Sequence, residues 1–267
     1  METYFPPKDW ALILGASSGF GAATARELSG RGMNIFGVHL DRRGTIPMAE
    51  QVQKDVESTG RRCVLFNVNA ADELKRKEVL DAIEPILKEG GGTLRILLHS
   101  LAFGTLKAYY DDDPEMMVRK PQMDMTVDVM ANSLVYWAQD LASRKLLKPG
   151  SRIFAMTSAG GERAWRTYGP VSAAKAALEA HIRQLALELS PLGVTCNSLL
   201  AGVTNTPALR KIPGSELMLE GAGRRNPGRR LTTPEDVAQA IACLSLPGTQ
   251  WVTGNVIHVD GGENIVD

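Results

Sequence analysis

Few short stretches restrict a chain as tightly as GASSGFG, residues 15–21, set between the apolar run WALIL and a segment of helical spacing. Gly15, Gly19 and Gly21 leave three Cβ atoms out of one strand-to-helix turn, which lets the turn close and lets an anion approach backbone N–H groups at the positive end of the helix. A glycine pattern alone says little. With a strand before it and a helix after it, it has the context that a dinucleotide cradle requires. Gly15, Ser17, Ser18, Gly19, Phe20 and Gly21 are therefore the residues expected to face a pyrophosphate. The next apolar run, NIFGVHL, completes a βαβ unit.

The same alternation continues. Apolar runs at 63–68, 94–100, 151–158, 194–200 and 255–262 read as strands, and segments at 72–88, 124–147, 170–189 and 234–244 read as helices. Strands that are apolar throughout are buried on both faces, and strands separated by helices run parallel. The expectation is an α/β fold, a doubly wound parallel sheet of seven strands of the Rossmann type, in one domain over 1–267. The longest irregular stretch, roughly 203–230, holds three prolines and follows a strand end, where ligands of such sheets bind. It reads as a substrate lid.

Composition removes several function classes. Thirty basic residues against thirty acidic ones leave no net field for nucleic acid or an anionic membrane surface. No basic leader with an apolar core and no membrane-length apolar run is visible, so a soluble, cytoplasmic protein is expected. Cys63, Cys196 and Cys243 are far apart, without CxxC or metal-ligand spacing; they read as reduced thiols, and no metal is expected. His39, His181 and His258 show no ligand spacing either. DDDPE, 111–115, lacks the glycine and terminal glutamate of a calcium loop. The four arginines of GAGRRNPGRR read as a solvated basic loop, with an acidic carrier protein or a CoA phosphate as the alternative.

In VHLDRR, a carboxylate at Asp41 would suit the ribose hydroxyls of NAD, while Arg42 and Arg43 would suit the 2′-phosphate of NADP. TYGPVSAAK places Tyr168 seven positions before Lys175. At about 100° per residue, seven positions return to within about 20° of the same direction, two turns on. Pro170 is tolerated only in a first helical turn, so the helix begins near 169–170 with Tyr168 just ahead of it. A phenol and an ammonium on one side of a helix start are suited to proton transfer, because a nearby cation favours phenolate.

The glycine spacing and the tyrosine–lysine pair resemble the short-chain dehydrogenase/reductase family. Tyrosine, six residues, lysine resembles its enoyl-acyl-carrier-protein reductases, as do HSLAFG (99–104), NPGRRLTTPEDVAQAI and VTGNVIHVDGG. The likeness covers essentially the whole chain, and AALEAHIRQLALELSP with TNTPALRKIPGSELML is most similar to the NADPH-dependent type III form. The resemblance implies reduction of the carbon–carbon double bond of an enoyl thioester, carried on acyl carrier protein or CoA, in fatty-acid synthesis. Lys175 would bind the nicotinamide ribose and lower the pKa of Tyr168, which would hold the thioester carbonyl oxygen. Further cofactor contacts are implied at Asn67, Val68, Ser100, Leu101 and Ala102, and at Val203, Thr204 and Thr206 for the carboxamide. In many members the acid that selects NAD falls where this chain has His39, two residues before Asp41, so NADP(H) is favoured over NAD(H).

The chain also departs from that pattern. Ser158 stands where type I enoyl reductases have a further tyrosine and carbonyl reductases have their serine, which keeps a carbonyl reductase or alcohol dehydrogenase using Ser158 with Tyr168 as the alternative. A nucleotide sensor without turnover is a third class. Val203 replaces a common proline, and Met130 falls where many relatives have a relay asparagine, implying a relay-poor enzyme. His99 reads as backbone lining near the cofactor. Apolar C-terminal segments and the family likeness imply a homotetramer.

Overall fold

In the computed structural model, which describes residues 4–266, the central strand β1 (Asp9–Leu14) is buried from end to end. Its side chains alternate between two apolar layers. Trp10, Leu12 and Leu14 enter one cluster, and Ala11 and Ile13 enter the other. That two-sided burial explains why the strand reads as an unbroken apolar run, and each large side chain so buried stabilises by about 1.5–3 kcal/mol. Trp10 also stacks on Phe36 of the neighbouring strand, with ring centroids 3.9 Å apart.

Chain order is β1, α1 (Gly19–Gly30), β2 (Asn34–His39), α2 (Ile46–Glu57), β3 (Cys63–Asn67), α3 (Glu73–Glu89), β4 (Thr93–His99), α4 (Lys120–Val127), α5 (Ser133–Ser143), β5 (Leu147–Thr157), α6 (Gly169–Leu189), β6 (Thr195–Ala201), α7 (Ser215–Arg225), α8 (Pro234–Leu244) and β7 (Val256–Val259). The seven strands lie in the order β3-β2-β1-β4-β5-β6-β7, and every neighbouring pair is parallel. Helices α1, α2 and α8 cover one face and α3, α5 and α6 the other. The strand order reverses between β1 and β4, which opens a crevice at their carboxyl ends.

Three expectations need adjusting. The helix read over 124–147 begins at Lys120, passes through a π-helical turn at Asp128–Asn132 and stops at Ser143. Strand β5 begins at Leu147, earlier than its most apolar residues, because Leu147 pairs with Leu94 ahead of the register shift there. The stretch 203–230 is not irregular throughout, since it contains α7 and a short 3-10 turn at Leu209–Lys211. Its arginines are largely engaged locally: Arg229 donates to the Arg224 carbonyl at 2.7 Å, and Arg230 forks onto Asp236 at 2.6 and 2.9 Å. Among the described residues no helix is long and apolar enough to cross a membrane. Cys63 and Cys196 are buried free thiols, each pushed up to about 12 by desolvation, and Cys243 is exposed.

Candidate active site

The carboxyl ends of β1 to β6 share one edge of the sheet, so the turns that follow them are brought together there. Gly15 follows β1 with φ +91°, and a Cβ on it would lie 2.4 Å from the Ser100 carbonyl oxygen at the end of β4. A Cβ on Gly21 would lie 2.1 Å from the carbonyl oxygen of Gly15, where no side chain fits. These two glycines let the turn pack against β4 and let α1 start directly above it. Ser18, the residue before α1, is extended, and its hydroxyl makes no capping bond to the helix. The positive end of α1 thus has the glycine cradle and lacks the usual side-chain cap, a combination that fits a bound pyrophosphate. A groove of about 490 Å³ runs past Ser17, Ser18, Gly19 and Thr206.

At the end of β2, the His39 Nδ1 lies 2.8 Å from Asp41 Oδ2. The Asp41 N–H donates to Asn67 Oδ1 at 2.9 Å, the Asn67 amide returns a bond to the Asp41 carbonyl at 3.0 Å, and the Val68 N–H donates to the His39 carbonyl at 2.8 Å. Asn67 and Val68 therefore fasten β3 to the end of β2. Burial alone would push the Asp41 carboxyl up. Hydrogen bonds with Thr45, Ser17 and His39 outweigh it and hold the group below its usual value. Arg42 and Arg43 are exposed beside it.

Ser158 and Tyr168 are brought to one place, and Lys175 follows two turns into α6. Ser158 follows β5; its oxygen accepts from the Gly160 N–H at 3.0 Å and lies 3.4 Å from the Tyr168 hydroxyl. Tyr168 stands just outside α6, with Pro170 in the first turn, as the spacing predicts. Thr167 precedes it at φ +67°, a left-handed conformation that costs a β-branched residue about 1–2 kcal/mol. Backbone strain of this kind clusters at functional sites. Trp165 meets the Tyr168 ring edge-on, with centroids 5.7 Å apart.

The electrostatics differ from expectation at one point. Lys175 is buried, and its Nζ donates to the Met156 carbonyl at 2.7 Å, within β5. Desolvation brings its ammonium down to about 8, with Glu179 one turn further along α6 acting in the opposite direction. The Tyr168 phenol is raised above its usual value, chiefly by desolvation, with the Ser158 hydrogen bond working against that. The lysine expected to lower the phenol thus directs its ammonium to the strand. A spacing of seven places it one turn deeper than a spacing of four would.

Other predicted positions hold as follows. Leu101 is half-buried and Ala102 exposed, directly after Ser100 and the end of β4. Met130 is buried on the π-helical turn with Val171 and Ala174, and Tyr168 packs on that cluster. His99 is wholly buried; Nε2 lies 2.9 Å from Ser133 Oγ, and desolvation with the nearby Lys175 charge lowers it to about 3, so it is neutral. After β6, the Val203 N–H already donates to Glu263 Oε2 at 2.9 Å, so that donor is not free for a carboxamide. Thr204 and Thr206, both buried, complete the turn; Thr204 Oγ1 donates to the Gly202 carbonyl at 2.8 Å. Sequence reasoning missed Glu179, whose carboxylate receives the Thr157 hydroxyl at 2.5 Å, and Glu263. The helical spacing of Glu179 from Lys175 was a usable signal for the first; the second had none.

A family model described as enoyl-(acyl carrier protein) reductase matches residues 15–264. The chain is 30% identical over 258 residues to the 1-cyclohexenylcarbonyl-CoA reductase of Streptomyces collinus, covering 96% of this chain and 87% of that one. It is 34% identical over 168 residues to the NADH-dependent enoyl-[acyl-carrier-protein] reductase FabI of Escherichia coli K12, covering 63% of each chain. Among solved structures, it is similar to a short chain dehydrogenase from Burkholderia cenocepacia J2315 in complex with NADP, with a TM-score of 0.78 and 25% identity over 95% of this chain and 97% of that one.

Proposed function

The chain belongs to the enoyl-(acyl carrier protein) reductase family of nicotinamide-dependent oxidoreductases, and we propose that it reduces the carbon–carbon double bond of an enoyl thioester, on acyl carrier protein or CoA, in fatty-acid synthesis. The carrying observation is the Tyr168 phenol, set just ahead of α6, kept protonated by burial, and flanked by Ser158 and Trp165. When bound, the nicotinamide cofactor supplies the hydride. The proton that completes the α-carbon comes from solvent, and the residues of this chain hold and polarise the substrate. Tyr168, as a neutral donor, hydrogen-bonds the thioester carbonyl oxygen, where negative charge collects in the transition state. Lys175 holds a positive charge beneath the site and is within a pH unit or so of losing it at neutrality. Trp165 gives the acyl group an apolar wall. The stretch 203–230, with α7, acts as the lid.

NADP(H) is the cofactor we favour. Asp41 already shares its carboxylate with Ser17, Thr45 and His39, whereas Arg42 and Arg43 are exposed at the same corner and suit a 2′-phosphate. The charge on Asp41 opposes the phosphate, so a preference of about tenfold, near 1.4 kcal/mol, is expected rather than a thousandfold one. A homotetramer is proposed from the family likeness and from Trp251, which is 98% exposed in one copy. Solubility and a cytoplasmic location belong to the same reading.

A second reading rests on the Ser158–Tyr168 distance of 3.4 Å, since two hydroxyls so placed can together hold the oxygen of a ketone. One paired assay separates the two. Crotonyl-CoA and acetoacetyl-CoA are each offered with NADPH and with NADH, and loss of nicotinamide absorbance is followed. Crotonyl-CoA turnover with NADPH ahead is expected; oxidation driven by acetoacetyl-CoA alone would transfer the assignment to carbonyl reduction.

A further inference from the structure

Glu263 lies beyond β7, in a short 3-10 turn at Glu263–Ile265, yet its carboxylate reaches back to the turn after β6. Its side chain is 8% exposed. Oε2 accepts the Val203 N–H at 2.9 Å, and Oε1 accepts from Arg225 Nη2 at 3.2 Å, in the last turn of α7. A buried carboxylate is costly unless paired and hydrogen-bonded, and among the described residues this one has one backbone donor and one cation. The site is closely fitted around it: a Cβ on Gly202 would lie 2.8 Å from Oε2 and 2.4 Å from the Thr232 hydroxyl.

The segment that carries Glu263 is itself anchored. Asp260 accepts the N–H groups of Gly262 and Asn264 at 2.9 and 3.0 Å, and Asn226, just after α7, donates to the Asp260 carbonyl at 2.7 Å. Arg163, in the loop between Ser158 and Tyr168, donates to the Asn264 carbonyl at 3.3 Å. One C-terminal turn therefore touches three walls of the site: the turn after β6, the end of α7 and the loop carrying Tyr168.

We infer that Glu263 is a positioning residue for the nicotinamide half of the cofactor. Holding the Val203 N–H orients the peptide between Gly202 and Val203 and so sets the direction in which the chain enters Thr204 and Thr206. The ion pair with Arg225 makes the place of α7 depend on the same carboxylate. The inference rests on the reading above that this turn receives the nicotinamide carboxamide. It does not depend on which acyl substrate is reduced.

The test is binding to the intact protein, by calorimetry, for wild type and Glu263→Ala. Two ligands are compared: NADPH, and 2′-phospho-ADP-ribose, which lacks the nicotinamide; NADH and ADP-ribose replace them if NADH binds better. Loss of one hydrogen bond to a charged group predicts about a tenfold weaker Kd for NADPH, with the fragment unchanged within about twofold. A purely structural role would weaken both ligands alike, and that result overturns the inference. So does no change in either, a loss confined to the fragment, or a wild type that binds NADPH no better than the fragment. Should the alanine variant melt below the assay temperature, Glu263→Gln carries the test. Its amide oxygen is the weaker acceptor, about threefold loss on NADPH alone is expected, and equal changes overturn the inference. A wild type that reduces neither thioester but shows the split would sink the proposed reaction and leave this inference standing.

Discussion

Replacing Glu179 by glutamine should move the alkaline limb of the enzyme's pH profile while leaving its fold intact. Lys175 is depressed to about 8 by desolvation, and Glu179 is the group that limits the depression. Four residues apart on α6, the two side chains start roughly 6 Å from each other. With an effective dielectric near 20, a unit charge at that distance contributes about 2.8 kcal/mol, or about two pH units. Hydration and the spread of the side-chain ends reduce this, so a shift of about one unit is the working figure. The sign follows from the charges. Lys175 is a cation below its pKa, the neighbouring carboxylate favours the cation, and removing that carboxylate lets the proton leave at lower pH. Glutamine keeps an oxygen for the Thr157 hydroxyl, which now donates to Glu179 at 2.5 Å, so packing changes little. The assay is kcat/KM for the cofactor across pH 6–10, because that parameter reports groups of the free enzyme. Wild type should fall off near pH 8 and the variant near pH 7, with similar melting temperatures. Identical limbs in the two proteins, or a wild-type limb beyond pH 9.5, would refute the assignment of Lys175 as the titrating cation.

Two further outcomes follow from the same geometry. Tyr168→Phe deletes the donor but keeps the ring against Trp165 and the Met130 cluster, so kcat should fall by about 10²–10⁴ with cofactor affinity nearly unchanged; a loss below tenfold would remove the phenol from the chemistry. Thr167→Gly relieves a left-handed β-branched residue, for a net gain of about 0.5–1 kcal/mol and a melting point higher by about 1–3 °C, while kcat drops as the backbone behind Tyr168 loosens; a lower melting point would mean that Thr167 is not strained.

Much of this molecule was legible before folding. Unbroken apolar runs separated by helical segments specified strands buried on both faces, hence a parallel sheet with its ligand edge at the carboxyl ends, and GASSGFG placed the cradle on that edge. The seven-residue spacing and Pro170 put Tyr168 just outside α6, two turns ahead of Lys175. Those features depend on neighbours along the chain: side-chain period, helical pitch and the missing ring N–H of proline. The direction of the Tyr168 shift, the strand carbonyl that takes the Lys175 ammonium, and the Glu263 carboxylate that occupies Val203, sixty residues away, depend on what folds over each group. Desolvation and long-range hydrogen bonding have no period to read, so only the tertiary structure decided them.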